Sequence, residues 1–301
     1  MNTIIVIVGP TAVGKTALSI ELAKQLNTDI ISADSMQFYK GFDIGTAKVK
    51  EDEKQGIVHH LIDILNPDEE FNVSSYQKVV RDQIDFELSK NRDVILVGGS
   101  GLYLQAVIYD YLFHGEKRDQ PFEESYDELS NQELYLLLEM KNPTLASTVH
   151  PNNRRRLLRS LQIASDVNSS LTEQGKKLYY PHVYIVGLNI PRELLYERIN
   201  SRVDQMVAQG LFEEVKKFYL QGIKGQSVQA IGYKEIYEYY QGNVGYEETI
   251  ENIKQASRRY AKRQLTWFKN KMDAHWFDPS QMSIEEIAIE MINNIKNRAK
   301  S

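Results

Sequence analysis

The run GPTAVGKT at residues 9–16 decides the fold. It follows a short apolar segment, Ile4–Val8, and precedes Ala17–Leu26, where leucines recur at helical spacing. A strand, a glycine loop of the form G-x-x-x-x-G-K-[ST] and a helix, in this order, are typical of a phosphate-binding loop. We therefore expect the loop N–H groups and the helix N-terminus to bind the anionic phosphates of a di- or triphosphate. The residues of this predicted phosphate site are Gly9, Pro10, Thr11, Ala12, Val13, Gly14, Lys15 and Thr16.

Two side chains of this loop are expected to balance the negative charge of the phosphates. We expect Lys15 to neutralise phosphate oxygens and the Thr16 hydroxyl to hold Mg²⁺. The motif indicates a phosphate ligand, but it does not say which one.

Apolar runs alternate with helical patterns along the first hundred residues, which predicts a parallel α/β sheet. Further strands are predicted at Asp29–Ala33, Leu61–Leu65, Val94–Val97 and Val183–Leu188, and a helix at Val73–Lys90. The chain after residue 190 is mostly helical, with helices predicted at Arg192–Gln209, Leu211–Tyr219, Tyr233–Gln241, Tyr246–Lys271 and Ile284–Lys296. We predict a P-loop NTPase-like α/β core formed by residues 1–114 and 182–301, with a helical insertion at 115–181 and a helical C-terminal region.

Composition narrows the possible chemistry. The 301 residues include no cysteine, which excludes disulfides, thiolate nucleophiles and cysteine-ligated metals. The absence of cysteine fits a reducing cytosol, and we expect a cytoplasmic protein. No apolar run approaches the roughly 20 residues that cross a bilayer, so no membrane partner is expected. Charge is uneven: residues 1–150 carry 13 Lys and Arg against 24 Asp and Glu, whereas residues 151–301 carry 23 against 17. The positive half is the candidate for a nucleic-acid partner.

The sequence lacks the acid that a typical NTPase carries after a core strand. Val94–Val97 runs into Gly98, Gly99, Ser100 and Gly101 instead. The nearest substitute is Asp34, which follows another predicted strand. Because parallel strands open a ligand crevice at their carboxyl ends, Asp34, Ser100 and the phosphate loop are expected to face one cleft. A helix cap or an Asx turn is an equally simple role for Asp34.

A series of motifs resembles the bacterial tRNA dimethylallyltransferases, also called tRNA isopentenyltransferases or IPP transferases. The motifs occur in the order of that family and span about residues 4–277. Besides the phosphate loop they are ISADSMQFY (31–39), DIGTAK (43–48), HHLID (59–63), GGSGLY (98–103), RVDQM (202–206), QAIGYKE (229–235) and RYAKRQLTWF (259–268).

The resemblance implies a reaction. A dimethylallyl group would move from dimethylallyl diphosphate to N6 of the adenine immediately 3′ of the tRNA anticodon, and diphosphate would be released. No γ-phosphate is hydrolysed in this reaction, which accounts for the missing acid. The target base must leave its stack to reach the electrophile, so base flipping is expected.

The resemblance also implies roles for residues. Asp34 would accept the proton of the adenine amine, Ser100 would contact the diphosphate or the adenine, and Arg202 would help the diphosphate depart. Ser100 stands where the family usually has threonine. An exposed helix arginine paired with Glu197 or Asp204 is the alternative for Arg202. The residues expected to contact tRNA are Asp34, Ser35, Met36, Gln37, Arg155, Arg156, Arg159, Ile231, Gly232, Tyr233, Lys234, Arg258 and Arg259.

Two basic clusters support an RNA partner. One contains Arg154–Arg156 and Arg159, and the other runs from Lys254 to Lys271 with seven Lys or Arg and no acid. Like charges at i,i+4 destabilise a helix slightly, and an RNA backbone would explain them. A solvated face or internal ion pairs are the alternative. Aromatic residues interleave in the second cluster, where Tyr260 could stack on a base and Trp267 and Phe268 fit a core.

Other functions remain open at this stage. The adjacent pair His59 and His60 does not converge well on one ion, so a metal there is not expected. A P-loop kinase, a transferase that prenylates free AMP and a non-catalytic RNA-binding protein are the alternatives. The expected ligands are Mg²⁺, dimethylallyl diphosphate and the tRNA anticodon stem-loop, and the protein is expected to act as a monomer.

Overall fold

The computed structural model describes residues 2–111, 120–165 and 177–298. The chain divides into two compact units, the first formed by residues 1–109 and 178–301 and the second by residues 110–177. The second unit occupies most of the segment in which an insertion was expected, residues 115–181. None of the helices in the described ranges combines the length and the apolar character needed to cross a bilayer.

A parallel sheet forms the centre of the first unit. Its six described strands lie in the order β3-β2-β4-β1-β5-β6, and every pairing is parallel. The central strands are almost continuously apolar because both of their faces are covered. The predicted α/β fold class is confirmed. The strands are β1 (Ile4–Val8), β2 (Ile30–Ser32), β3 (His59–His60), β4 (Val94–Val97), β5 (Val183–Leu188) and β6 (His275–Phe277).

Helices account for most of the remaining described chain. In chain order they are α1 (Lys15–Leu26), α2 (Glu51–Lys54), α3 (Val73–Ser89), α4 (Gly101–Ile108), α5 (Gln120–Glu124), α6 (Asn131–Lys141), α7 (Pro143–Ala146), α8 (Arg154–Ser165), α9 (Arg192–Ala208), α10 (Leu211–Leu220), α11 (Tyr233–Tyr240), α12 (Tyr246–Lys271) and α13 (Ile284–Arg298). Helices α5 to α8 belong to the second unit.

The side chains of β1 divide the core into two layers. Ile4, Val6 and Val8 pack into one hydrophobic cluster, whereas Ile5 and Ile7 pack into another. Successive strand residues point to opposite faces, so alternation along one strand supplies both layers. Residues from α3, α4, α10, α11 and α12 cover the first face, and residues from α1, α9 and α13 cover the second.

The second unit has a hydrophobic core of its own. Leu134 and Leu138 of α6 pack there with Leu157 and Leu161 of α8. Arg154 ties the start of α8 to the preceding loop, because its guanidinium donates to the carbonyls of Tyr126 and Leu129.

The predicted helices after residue 190 are confirmed to within a few residues, and Tyr246–Lys271 matches at both ends. The strand predicted at Leu61–Leu65 is wrong, because the described strand is β3 at His59–His60. Leu61 and Asp63 adopt left-handed φ values of 63° and 57°, which interrupt an extended strand. Helix α4 and the short edge strand β6 were not predicted.

Neighbouring strands bring three distant loops together. Strands β2, β4 and β1 are adjacent, and their carboxyl ends lead into residues 33–39, 98–101 and 9–16. A close approach at Gly98 keeps the first two loops in contact, since a Cβ there would lie 2.4 Å from the carbonyl carbon of Ala33. The sheet therefore gathers at one edge the segments that the sequence marks as functional.

Candidate active site

The phosphate loop follows β1, and its last two residues, Lys15 and Thr16, are the first two residues of α1. Gly14 begins the helix with a left-handed φ of 107°, a conformation that favours glycine. The Lys15 ammonium donates to the carbonyl oxygens of Gly9 and Pro10 at 2.9 and 2.7 Å. The pKa of Lys15 is lowered to about 7, chiefly by burial and also by the charge of Arg202, while Asp34 opposes the shift. A bound polyanion would stabilise this ammonium, which burial and the charge of Arg202 disfavour.

Asp34 lies at the end of β2 and lines a cavity with Thr11 and Arg202. Its Oδ1 accepts a hydrogen bond from the Met36 N–H at 3.1 Å, so the Asx turn considered from the sequence is present. No described residue donates a hydrogen bond to Oδ2. Burial raises the pKa of Asp34, while the Met36 N–H, Lys15 and Arg202 oppose the rise. One oxygen of Asp34 therefore holds the turn, which leaves Oδ2 for a ligand. A carboxylate with a raised pKa suits a general base.

Arg202 projects from α9 toward the phosphate loop. Its Nη1 donates to Thr11 Oγ1 at 3.2 Å. Asp204, the suggested partner of an exposed Arg202, pairs with Lys254 at 2.7 Å instead. Burial lowers the pKa of Arg202, and nearby Asp34 and Glu53 oppose the shift. Because a guanidinium stays protonated in proteins, Arg202 places a cation beside both the loop and the carboxylate.

Ser100 meets the loop that contains Asp34. Its Oγ lies 3.4 Å from both the N and the Oγ of Ser35. Tyr260 also reaches this point from α12, and it lines the same cavity as Asp34. The pKa of Tyr260 is raised to about 12, chiefly by burial, although hydrogen bonding to Ser100 and Gln264 opposes the rise. The tyrosine therefore keeps its proton at neutral pH.

Gln264 joins two of the three loops. Its Oε1 accepts from the Thr11 N–H at 2.9 Å, and its Nε2 donates to the Gly99 carbonyl at 2.9 Å. A Cβ at Gly99 would lie 2.2 Å from that nitrogen, so glycine is needed for the contact. Gln264 and Tyr260 stand in a motif quoted above, but nothing local in the sequence assigns them to the loops they touch.

The cavity beside Asp34 measures about 330 Å³ and is largely apolar away from its charged end. Ile199, Val203, Met206 and Ile253 contribute to its walls. A second cavity of about 710 Å³ contains Thr16, Lys24 and Lys48, and it shares Arg202 and Met206 with the first. Arg202 and Met206 thus stand between a largely apolar cavity and a larger cavity beside the phosphate loop that both cations and carboxylates line.

The predicted RNA-contact residues of the core fall into different environments. Ile231 and Gly232 line the 330 Å³ cavity together with Ser35 and Met36, and Lys234 is exposed. Tyr233 is a correction: its side chain is completely buried and stacks on Phe42, so it cannot make the direct RNA contact that was expected.

Gln37, which was also expected to contact tRNA, makes hydrogen bonds within the protein. Its Oε1 accepts from Ser32 Oγ at 3.1 Å, and its Nε2 donates to the Thr46 carbonyl at 3.3 Å. Both ends of the amide are therefore engaged within the protein.

The basic residues of α12 are not equivalent. Arg259, Lys262 and Arg263 are exposed. Arg258 donates to Asn200 Oδ1, and Lys254 forms ion pairs with Asp204 and Glu251. The predicted positive face is thus present in part, and internal contacts account for the rest.

The second unit presents its own basic residues on α8. Arg155 and Arg156 are exposed there, and Arg159 donates to Gln162 Oε1 at 2.9 Å.

Thr16 fits the metal-binding role expected of it. Its side chain is exposed and lines the larger cavity, and hydroxyl and phosphate oxygens are the ligands that Mg²⁺ prefers. His60 instead bonds Asp29 at 3.0 Å. With Glu87 these two offer ligand atoms within 4.8 Å of one another, but the Arg92 guanidinium lies 4.0 and 3.7 Å from the two carboxylates. That cluster is a charge-balanced network.

Fold and site together define a P-loop α/β protein in which a phosphate loop shares a cavity with a carboxylate that could serve as a base. The model of the IPP transferase family matches residues 37–271. The chain belongs to this family.

Relatives match over nearly their whole length. The tRNA dimethylallyltransferase of Bacillus subtilis is 49% identical over 284 residues, which cover 91% of this chain and 90% of that protein. The tRNA dimethylallyltransferase of Anoxybacillus flavithermus is 48% identical over 294 residues, with coverage of 96% and 94%.

Solved structures agree with these relatives. The tRNA isopentenylpyrophosphate transferase of Bacillus halodurans has a TM-score of 0.76 and 44% identity, with coverage of 100% of this chain and 99% of that one. A eukaryotic dimethylallyltransferase described as acting on tRNA has a TM-score of 0.80 and 30% identity, with coverage of 92% and 74%.

Proposed function

We propose that this protein transfers a dimethylallyl group from dimethylallyl diphosphate to N6 of the adenine immediately 3′ of the anticodon in tRNA. The observation that carries the proposal is the shared cavity, in which Asp34 meets Arg202 and the phosphate-loop residue Thr11 beside apolar walls. Family membership and the names of the relatives support the same activity. They do not favour the kinase alternative.

The phosphate loop binds the diphosphate of the donor in this proposal. Loop N–H groups and the start of α1 supply partial positive charge, and Lys15 and Arg202 supply full charges. Lys15 exchanges its bonds with Gly9 and Pro10 for phosphate oxygens as the donor arrives. Mg²⁺ held by Thr16 would neutralise further charge on the leaving diphosphate.

The prenyl group packs against the apolar walls of the cavity and presents its C1 carbon to the adenine. The N6 lone pair forms the new C–N bond while the C1–O bond breaks, and that electron pair leaves with the diphosphate. Asp34 accepts the proton that N6 loses. The Ser100 hydroxyl lies next to this loop and contacts the diphosphate or the adenine.

The flipped adenine enters beside residues that line the same cavity. Ser35, Met36, Ile231 and Gly232 are placed to surround it. Exposed Arg259 on α12, Lys234, and Arg155 and Arg156 of the second unit bind the RNA backbone. The second unit is the tRNA-binding insertion, and the protein acts as a monomer.

The proposal is tested by following release of diphosphate from dimethylallyl diphosphate with and without an unmodified anticodon stem-loop. We expect release only with the stem-loop and no consumption of ATP. Turnover with AMP in place of RNA would indicate the AMP transferase, and ATP consumption without RNA would indicate the kinase.

Removing exposed cations from α12 should weaken RNA binding and its dependence on salt. We expect Arg259→Ala and Lys262→Ala each to make the negative slope of log K against log salt shallower by about one unit, because each loses one phosphate contact. Lys254→Ala is the matched control, since this lysine is already held by Asp204 and Glu251. Fluorescence anisotropy with a labelled stem-loop at several salt concentrations measures the slope. If all three variants keep the slope of the unaltered protein, α12 does not contact RNA.

A further inference from the structure

Glu214 is a buried carboxylate that binds a turn of the active site. It lies on α10 and is only 7% exposed. Its Oε2 accepts from the N–H groups of Asp43 and Ile44 at 3.0 and 2.8 Å. Its Oε1 accepts from the Gly45 N–H at 3.1 Å and from the Tyr233 hydroxyl. Four donors therefore converge on one side chain.

The turn that Glu214 binds forms walls of both cavities. Gly45, Thr46 and Ala47 line the cavity that contains Asp34. Asp43 and Ile44 line the larger cavity that contains Thr16. Glu214 itself lines neither of these two cavities, so any influence on the reaction must pass through the turn.

Hydrogen bonds connect this turn to Asp34. The Thr46 carbonyl accepts from Gln37 Nε2 at 3.3 Å, and Gln37 Oε1 accepts from Ser32 Oγ at 3.1 Å. Ser32 Oγ in turn accepts from the Asp34 N–H at 3.4 Å. These three hydrogen bonds form a continuous connection between the turn and the backbone that carries Asp34.

We propose that Glu214 is a positioning residue for Asp34 and acts through the 43–47 turn. This inference rests on the proposed function, because it assigns Asp34 the role of base. An ionised carboxylate suits the position because it offers only acceptors to four donors. Glutamine has the same shape, but its NH₂ group would face donors, and at least one backbone N–H would lose its partner.

The test is a double-mutant cycle between Glu214→Gln and Asp34→Asn. Glu213→Gln is the matched control, because Glu213 is the exposed neighbour on the same helix. Single-turnover rates with excess protein are measured for each variant with dimethylallyl diphosphate and a stem-loop. Thermal unfolding and stem-loop affinity are measured alongside, and rates are expressed per folded protein.

We expect Glu214→Gln to lower the rate about ten- to a hundredfold, with stem-loop affinity changed less than about threefold. In the Asp34→Asn background the same substitution should change the rate less than about twofold, because residues that act together are not additive. A rate equal to that of Glu213→Gln would overturn the proposal. An equal loss in both backgrounds would also overturn it, since that is the behaviour of a merely structural residue.

Tyr233→Phe decides the question if Glu214→Gln does not fold. It removes one donor to Glu214 and keeps the ring that stacks on Phe42. We expect a loss of about threefold that disappears in the Asp34→Asn background; an undiminished rate, or an equal loss in both backgrounds, contradicts the role. If the unaltered protein prenylates no stem-loop, the proposed function fails, and this result is distinct from a failure of the Glu214 role.

Discussion

Asp34→Asn should bind the anticodon stem-loop normally and lose about a thousandfold in the rate of prenyl transfer. The asparagine oxygen can still accept the Met36 N–H that holds the Asx turn. The variant therefore removes the base and preserves the local backbone. An adenine amine is a poor nucleophile, and without a carboxylate its proton has no acceptor as the C–N bond forms.

Single-turnover rates and stem-loop affinity together check this expectation. Asp68→Asn, which changes a carboxylate on the loop before α3, is the control and should retain the full rate. A rate for Asp34→Asn within about threefold of the unaltered protein would show that Asp34 is no base. Equal losses of rate and RNA affinity would show that its role lies in binding.

Lys15→Met should lose about a hundred- to a thousandfold in kcat/KM for dimethylallyl diphosphate, because a full charge leaves the diphosphate site. The Lys15 ammonium is buried with its pKa lowered to about 7. The folded protein therefore bears a cost for this charge below pH of about 7, where folded and unfolded chains both carry it. As pH rises from about 7 toward the ordinary lysine pKa, the folded chain releases the proton first and the cost disappears. Lys15→Met should accordingly unfold at a temperature no lower than that of the unaltered protein near neutral pH.

The lowered pKa of Lys15 predicts how the affinity for diphosphate depends on pH. Above pH of about 7 the unliganded protein loses the Lys15 charge, so its affinity for diphosphate should fall by up to about tenfold per pH unit. Asp34 governs the acid side of the transfer rate instead: burial raises its pKa, so the base becomes protonated earlier as pH falls and the rate should decrease there. Lys15→Met should abolish the alkaline decrease, and exposed Lys40→Met is the control that should keep it. Calorimetric titration with inorganic diphosphate at several pH values measures this; an unchanged decrease in Lys15→Met would assign it to another group.

Local sequence predicted the parts of the site that strands and loops bring together. The strand and glycine loop before Lys15 predicted α1, and apolar runs predicted β4 and β5, because buried parallel strands need continuous apolar residues. The wrong strand at Leu61–Leu65 arose because apolar content does not reveal left-handed φ angles at Leu61 and Asp63. Apolar composition therefore predicted that a strand lies in this part of the chain, but not the residues at which it begins and ends.

Tertiary contacts were harder to predict than elements. Tyr233 lies within a functional motif, yet packing against Phe42 buries it completely. Gln264 bonds Thr11, 253 residues away, and no local pattern predicts this pairing. Glu214 did leave a signal: it falls on the face of α10 that Leu211, Val215 and Phe218 bury. An acid at a core position of an amphipathic helix indicates a buried partner, although not which one.

Nucleoside mass spectrometry of a stem-loop incubated with the purified protein, Mg²⁺ and dimethylallyl diphosphate tests the proposed reaction most directly. A second stem-loop, with guanine in place of the adenine 3′ of the anticodon, is the matched substrate. We expect a dimethylallyl mass gain on that adenine and none on the second stem-loop. An unmodified adenine in the first stem-loop, under conditions in which the protein binds both dimethylallyl diphosphate and that stem-loop, would contradict the proposed reaction.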